Sequence, residues 1–244
     1  FSQNLEIFLE VFLFLLLFTW MKNPWKTKNS KIVYETKWFK VREDQVVRPD
    51  GSDGVYSYLE TPNSVFIVPI TDSGEVYLIA QWRYPTKTYS WELPGGGGDG
   101  GNILESAKRE LKEETGLEAD FWIEVGKLQP INGVISEIEH VFVAQKFKQT
   151  GDNKQSEDGI SNIKKVNFLE FERLVSTGEI TDAQTIAAFT QACMYLQEKK
   201  KGWQQRELLP PLGQLILEPF LREEINHVGD SCEFLSLFVC DLER

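Results

Sequence analysis

A run of glycines leads directly into an acidic, helix-forming segment in residues 91–117, WELPGGGGDGGNILESAKRELKEETGL. Glu110, Glu113 and Glu114 are three and four residues apart, so in a helix they project from one face, about one turn deep. Three carboxylates held so closely repel one another and disfavour the helix unless a cation lies between them. The segment predicts a loop and a helix that together hold a divalent cation; the alternative is a solvated acidic face.

The end of this segment resembles a known motif. RELKEETGL, residues 109–117, is similar to the second half of the Nudix box, G-x5-E-x7-R-E-U-x-E-E-x-G-U, in which U is aliphatic. Counting back from Arg109 places Gly95 in the leading glycine position, whereas Gly101 occupies the position of the motif's first glutamate. We hypothesise that Asp99 or Glu105 stands in for that carboxylate, and the number of metal ions stays open.

Three further segments resemble the ADP-ribose pyrophosphatase-like branch of the Nudix hydrolases. QWRYP at 81–85, followed by ELPG at 92–95, is similar to the QYRYP…ELPxG signature of that branch. PINGVISE at 130–137, leading into HVFVA at 140–144, is similar to its PSPGFSDE…HLFLA loop and strand. GEITDA at 178–183 matches the start of its C-terminal helix. The resemblance covers residues from about 40 to about 200.

The resemblance implies a role for each matching residue. Glu113 and Glu114 would be the principal metal ligands, Glu110 a ligand or orienting base, and Glu137 a metal ligand or general base that covers the diphosphate. Arg109 would orient the carboxylates through charge-assisted hydrogen bonds. The predicted metal site consists of Glu110, Glu113, Glu114 and Gly95. The predicted catalytic residues are Glu110, Glu137 and Arg109. The predicted substrate-binding residues are Arg83, Glu92 and Gly96.

Physical arguments agree with these roles. The oxygens of a diphosphate repel an incoming water, and a carboxylate-held Mg²⁺ or Mn²⁺ both neutralises that charge and lowers the pKa of bound water. The guanidinium of Arg83 can fork onto a diphosphate; its alternative is a pair with a surface carboxylate. Gly95 and Gly96 lack a Cβ, so their backbone can approach a metal or a phosphate. Trp82 and Tyr84 are expected to pack against the fold and not to stack on a base.

The sequence therefore predicts a metal-dependent hydrolase that cleaves a nucleoside diphosphate linked to another moiety, ADP-ribose or a nucleotide sugar, into two monophosphates. Because Gly101 replaces a ligand, the alternative is a catalytically weak module that binds a nucleotide sugar or regulates through it. A net charge of -11, from 26 basic and 37 acidic residues, argues against free nucleic acid as a partner. The resemblance implies a homodimer.

The cysteine pattern and the first residues indicate the cellular compartment of the protein. Cys193, Cys232 and Cys240 are odd in number and have no CxxC spacing, which fits a reducing, cytoplasmic setting. The apolar stretch at the start of the chain, residues 7–20, is shorter than the roughly 20 residues that cross a bilayer as a helix. We expect residues 1–20 to be upstream sequence before a start at Met21; the alternative is a membrane anchor followed by lysines, giving a membrane-tethered hydrolase.

The chain divides into four parts by pattern. Residues 1–20 are the hydrophobic segment, 21–60 a small N-terminal β extension, 61–201 a Nudix domain, and 202–244 a tail whose prolines and apolar clusters fit no single element. Strands are predicted at 31–47, 55–60, 64–70, 75–82, 121–128 and 139–147, with a hairpin joining 64–70 to 75–82. Helices are predicted at 103–115, ending at Gly116, and at 167–176 and 182–199. This order resembles the Nudix α/β/α sandwich, an α/β (α+β) fold with a mixed sheet between helices.

Overall fold

The computed structural model of the chain describes residues 22–98, 100–150 and 159–202, with side chains described as far as residue 197. The elements in these ranges are β1 (Lys26–Glu35), β2 (Lys40–Val47), β3 (Asp53–Glu60), β4 (Ser64–Pro69), β5 (Val76–Arg83), β6 (Thr88–Glu92), β7 (Gly95–Gly97), α1 (Ile103–Thr115), β8 (Leu117–Leu128), β9 (Glu139–Gln149), β10 (Ile160–Val166), α2 (Phe168–Ser176) and α3 (Ala183–Gly202). The predictions for residues 1–20, for Asp99 and for 203–244 lie outside the described residues.

The N-terminal strands form a sheet of their own, antiparallel in the order β1-β2-β3. The single strand predicted at 31–47 is wrong, because the chain turns at residues 36–39. There the backbone N–H and the hydroxyl of Thr36 both donate to the carbonyl of Phe39, at 2.9 and 3.2 Å. The turn contains neither glycine nor proline, so the β-like alternation runs through it without a visible break.

The remaining strands form a mixed sheet in the order β7-β4-β9-β8, with β4 and β9 parallel, and an antiparallel sheet in the order β10-β5-β6. The predicted mixed α/β architecture is confirmed. The predicted hairpin between β4 and β5 is wrong: Gly74, at φ +82°, closes a turn as expected, but the strands enter different sheets and share only the bridge Ile70 to Val76. Both edges of β4 are already taken, by β7 and by β9.

Helix α1 packs on the mixed sheet through its apolar face. Val65 and Ile67 of β4 form a buried cluster with Ala107 and Leu111 of α1 and with Phe142 of β9. The side chain of the residue before α1, Asn102, accepts the N–H of Leu104, and the residue after it, Gly116, has φ +70°. Such a cap and such a left-handed end are common helix boundaries. The predicted helix and its glycine end are confirmed, and the packing fixes which face of α1 points away from the core.

Helices α2 and α3 follow the last strand. Asn167 caps α2, and the carboxylate of Asp182 accepts the N–H of Thr185 at 2.7 Å, so both predicted helices begin within a residue of their predicted starts. Phe171 of α2 stacks on Phe189 of α3 with ring centroids 3.8 Å apart. Within the described ranges, no helix combines the length and the apolar character that crossing a membrane requires.

Candidate active site

Part of α1, the glycine loop and neighbouring strands line a cleft of about 1120 Å³. Arg109, Glu110 and Glu113 line its wall. Nη1 of Arg109 lies 2.9 Å from the Glu110 carboxylate and 3.1 Å from that of Glu113, and Nη2 donates to the carbonyl of Gly97 at 3.3 Å. One guanidinium therefore contacts two helix carboxylates and the glycine loop. The orienting role of Arg109 in catalysis stays a prediction.

The glycine loop lies so close to α1 that side chains would not fit. A Cβ on Gly96 would stand 2.7 Å from the Glu110 carboxylate, and a Cβ on Gly95 would overlap the carbonyl oxygen of Val65. The N–H of Gly95 donates to the carboxylate of Glu114 at 2.8 Å. Glu114 is only 3% exposed and is not among the residues of the cleft wall. Glycine is therefore required at positions 95 and 96, because the loop backbone lies too close to β4 and to Glu110 for a side chain to fit. Glu114 stabilises the loop through its hydrogen bond with the Gly95 N–H.

The carboxylates of Glu110 and Glu113 are the kind of oxygen ligand that a hard divalent cation prefers. Glu110 and Glu113 already share a cationic centre, Nη1 of Arg109, and the missing Cβ of Gly96 leaves the Glu110 carboxylate uncovered. In the part of the chain that is described, no group of three or more Asp, Glu, His or Cys side chains converges as a metal site. The third predicted ligand, Glu114, accepts the Gly95 N–H through Oε2.

Arg83 and Glu92 pair across the neighbouring strands β5 and β6. Nε of Arg83 donates to Glu92 Oε2 at 3.0 Å, and Nη2 contacts the same oxygen. The Glu92 side chain is 2% exposed and that of Arg83 is 45% exposed, and both line the cleft. Burial raises the pKa of the Glu92 carboxyl, against the opposing charge of Arg83. Arg83 thus does pair with a carboxylate, but with a buried one in the cleft and not on the surface.

The aromatic neighbours of Arg83 differ from expectation. Trp82 contacts Tyr89 edge to face, with ring centroids 5.1 Å apart, but the Trp82 residue is still 42% exposed, so it packs against the fold only in part. Tyr84 is 82% exposed, so the packing role predicted for it is wrong. It follows Arg83, the last residue of β5, and lies in the turn that leads to β6.

Glu137 lines the same cleft from the loop that joins β8 to β9. This loop is attached to the N-terminal sheet: the N–H of Leu59 donates to the carbonyl of Val134 at 2.8 Å, and the N–H of Ser136 donates to that of Leu59 at 2.9 Å. The hydroxyl of Tyr56 donates to the carbonyl of Gly133 at 2.8 Å. Strand β3 therefore positions the predicted base, a contact between distant segments that the sequence did not indicate.

Glu139 is a fully buried carboxylate that the sequence reasoning missed. Nε2 of Gln184 donates to its Oε2 at 2.6 Å. The pKa of Glu139 is raised to about 7, chiefly by burial; the Gln184 hydrogen bond lowers it, and the charges of Glu137 and Asp182 raise it. In the sequence Glu139 follows the motif glutamate by two residues and opens an apolar strand, so no local pattern distinguished it from a surface residue.

Protein stability is expected to fall as Glu139 ionises. Its pKa is about 7 in the fold against an ordinary 4.5, so the folded state binds this proton more tightly than the unfolded chain does. The stabilisation is complete below pH 4.5 and is lost as pH rises through 7, a loss of about 3 kcal/mol for this group. Urea unfolding of the wild type and of Glu139→Gln at a series of pH values measures it. Glu139→Gln should lose this part of the pH dependence of the unfolding free energy, whereas Glu118→Gln, at an exposed position, should keep it. If the unfolding free energy changed equally with pH in all three proteins, Glu139 would not be the group responsible.

Glu105, one of the two hypothesised replacements for the missing motif glutamate, is directed away from the cleft. Its side chain is 64% exposed and pairs with Lys108 Nζ at 2.7 Å. We therefore expect Glu105→Gln to leave the dependence of the hydrolysis rate on Mg²⁺ concentration unchanged, within about twofold. A rate titration with MgCl₂ measures this, and a tenfold shift in half-saturation would restore the replacement hypothesis.

Comparison with known proteins places this fold and cleft in a family. A profile of the NUDIX domain matches residues 60–189, more than half of the chain, and a profile of the nucleoside diphosphate sugar hydrolase N-terminal domain matches residues 25–59. The chain belongs to the Nudix family. The enzyme class predicted from the acidic helix, a Nudix pyrophosphohydrolase, is confirmed.

Individual relatives agree with this assignment. The chain is 28% identical over 177 residues to an ADP-ribose pyrophosphatase of Bacillus subtilis, an alignment covering 72% of this chain and 94% of that protein. It is 28% identical over 171 residues to an ADP-ribose pyrophosphatase of Mycobacterium tuberculosis, covering 68% and 82%. A crystal structure of an ADP compounds hydrolase superposes with a TM-score of 0.65 at 22% identity, covering 73% of this chain and 97% of the other, which establishes the shared fold.

Proposed function

We propose that the protein hydrolyses the diphosphate bond of a nucleoside diphosphate joined to another moiety, most simply ADP-ribose or a nucleotide sugar, into two monophosphates. The observation that carries the proposal is the pair Glu110 and Glu113, held side by side by Arg109 on a cleft wall that Glu137 also lines. The names of the two bacterial relatives, both ADP-ribose pyrophosphatases, support this substrate class.

The residues around the glycine loop would bind the metal and the phosphates. Glu110, Glu113 and Glu114 are the proposed ligands of Mg²⁺ or Mn²⁺, with the backbone of Gly95 beside them; the bound ion would neutralise the diphosphate oxygens and lower the pKa of water. Arg109 keeps the first two carboxylates oriented. The backbone of Gly96 faces the Glu110 carboxylate without a side chain between, so a phosphate oxygen can approach there.

The reaction itself requires one proton transfer and one bond exchange. Glu137 is the proposed general base: its carboxylate takes a proton from water, and the resulting hydroxide oxygen forms a bond to one phosphorus. The bond from that phosphorus to the bridging oxygen breaks, and the bridging oxygen leaves with the second phosphate. Arg83, fixed by its pair with Glu92, would balance the charge on the diphosphate as it binds.

A substrate panel tests the proposal. Purified full-length chain is incubated with ADP-ribose, several nucleotide sugars and a nucleoside triphosphate, each with Mg²⁺, with Mn²⁺ and with chelator, and products are separated by anion exchange. The expected result is AMP and ribose 5-phosphate from ADP-ribose, only with metal. Tight binding of a nucleotide sugar without turnover would instead favour the binding or regulatory module, for which Gly101 in the glutamate position is the supporting feature.

A homodimer formed through the N-terminal sheet is the oligomeric state we propose. Seven large apolar side chains of this region are at least 36% exposed: Trp25, Ile32, Val33, Tyr34, Trp38, Val55 and Tyr56. Exposed apolar patches of this kind usually mark interaction surfaces. Sedimentation should give a dimer mass for the wild type and a monomer mass for Ile32→Lys; a monomeric wild type would contradict the proposal. The cytoplasm is the proposed compartment, on the cysteine pattern alone.

A further inference from the structure

The loop that carries Glu137 is attached to the rest of the fold on both sides of that residue. On one side, the N–H of Ser136 donates to the carbonyl of Leu59 at 2.9 Å. On the other side, the N–H of Ile138 donates to Oδ1 of Asn63 at 3.3 Å. Leu59 lies near the end of β3 and Asn63 directly before β4, so two attachments to one short stretch of chain determine where Glu137 lies.

Asn63 also binds the glycine loop. Its backbone carbonyl accepts the N–H of Gly98 at 2.7 Å. The two segments approach so closely that a Cβ on Gly98 would stand 2.8 Å from this carbonyl oxygen and 3.2 Å from Cδ1 of Ile103, the first residue of α1. The adjacent carbonyl of Gly97 accepts Nη2 of Arg109. Asn63 is therefore bonded directly to the loop that contacts the carboxylate wall of the cleft.

The sheet register explains why one residue reaches both loops. Strand β4 lies between β7 and β9, and its first residue, Ser64, is the register partner of Gly97 on one side and of Glu139 on the other. Asn63 therefore lies just outside both ladders, beside the residue at which each neighbouring loop adjoins its strand. The N–H of Ile138 lies beyond the first ladder pair, and the asparagine side chain supplies its acceptor where the backbone ladder stops.

We propose that Asn63 is a positioning residue, which holds the loop of Glu137 at a fixed distance from the glycine loop and its carboxylate wall. This inference rests on the proposed function, in which Glu137 is the base. Asn63 is exposed and is not among the residues that line the cleft, although its neighbours Pro62 and Ser64 are, so it acts through the loops that it joins. Displacing a catalytic group by about 1 Å can lower the rate about a hundredfold, so this bond should affect turnover more than substrate binding.

The test changes the side chain of Asn63 and leaves its backbone contact in place. Asn63→Leu keeps the size of the side chain and removes the acceptor, whereas Asn63→Asp keeps an acceptor. In the hydrolysis of ADP-ribose with Mg²⁺, Asn63→Leu should lower kcat about fivefold and leave KM within about twofold, and Asn63→Asp should return kcat to within about twofold of the wild type. Asn162→Leu is the matched control: Asn162 is an exposed residue of β10, outside the cleft, whose Oδ1 accepts the N–H of Ile163 at 2.8 Å, and this variant should keep the wild-type kcat.

A double variant shows whether Asn63 acts through Glu137. In Glu137→Gln the proposed base is absent, so adding Asn63→Leu should change the residual kcat by no more than about twofold. A further fivefold loss in that background would show that Asn63 acts elsewhere and would overturn the positioning role. An unchanged kcat in the single variant Asn63→Leu would also overturn it, while leaving the proposed hydrolysis intact.

Amide hydrogen exchange tests the attachment without any measurement of activity. In D₂O, the N–H of Ile138 should exchange about fivefold faster in Asn63→Leu than in the wild type or in Asn63→Asp, as followed by NMR. Equal exchange rates in the three proteins would overturn the inference whatever the kinetics show. If the wild type hydrolyses no nucleoside diphosphate derivative, the proposed function fails, and the exchange rates alone then decide whether Asn63 holds the loop of Glu137.

Discussion

Replacing Glu114 with glutamine is expected to lower kcat by roughly a hundredfold to a thousandfold while the protein stays folded. The amide oxygen of glutamine can still accept the Gly95 N–H that Glu114 accepts at 2.8 Å, so the glycine loop keeps its anchor. What the substitution removes is a negative charge beside Glu110 and Glu113, and the affinity of oxygen ligands for a divalent cation depends on their total charge. The loss should therefore appear in turnover and in metal binding together.

The measurement is steady-state hydrolysis of ADP-ribose over a range of Mg²⁺ concentrations, with circular dichroism to verify the fold. Glu118→Gln is the matched control: Glu118 lies three residues beyond the end of α1, is about half exposed and pairs with Lys112, so the variant should turn over like the wild type. If Glu114→Gln retained more than a tenth of the wild-type kcat at saturating Mg²⁺, Glu114 would be an anchor for the loop and not a ligand.

The local parts of this site were predictable from sequence, because local rules determine them. The spacing of three glutamates, the capping side chain of Asn102 and the glycine at 116 specify α1 within a few residues, and the structure agrees. The sequence also predicted a close backbone approach at Gly96, to a metal or a phosphate; the neighbour that the structure shows there is the Glu110 carboxylate. Such features depend on neighbours in the chain, which a single sequence displays.

The parts of the fold and of the site that the sequence did not predict depend on contacts between distant segments of the chain. Strand β7 consists of three glycines, a residue depleted in strands, and is a strand only because β4 offers a partner edge. Strand β10 pairs with β5 from some eighty residues away. Glu139 is acidic in sequence and becomes a buried, protonatable group only because Gln184 and the parallel strand cover it. No pattern within a short window carries that information.

Removing the guanidinium of Arg83 is expected to destabilise the protein by about 2 kcal/mol, because it leaves Glu92 buried without its counter-charge. The exposed half of the Arg83 side chain sets this value below that of a fully buried pair. Arg83→Met keeps the aliphatic stem, so the change measures the charge and not the packing. Urea unfolding at neutral pH gives the free energy, and the double variant Arg83→Met, Glu92→Gln should recover at least half of the loss, since no buried charge remains.

Kinetics of the same variants determine whether Arg83 also binds the substrate. If its only task is to neutralise Glu92, the double variant regains KM along with stability. If the guanidinium contacts the diphosphate, as we propose, KM stays raised by tenfold or more in the double variant although its stability has returned, because glutamine cannot replace a charged fork on a phosphate. Glu92→Gln alone should raise KM less than Arg83→Met does, since the guanidinium is still present to bind the diphosphate although the carboxylate that fixes it is lost.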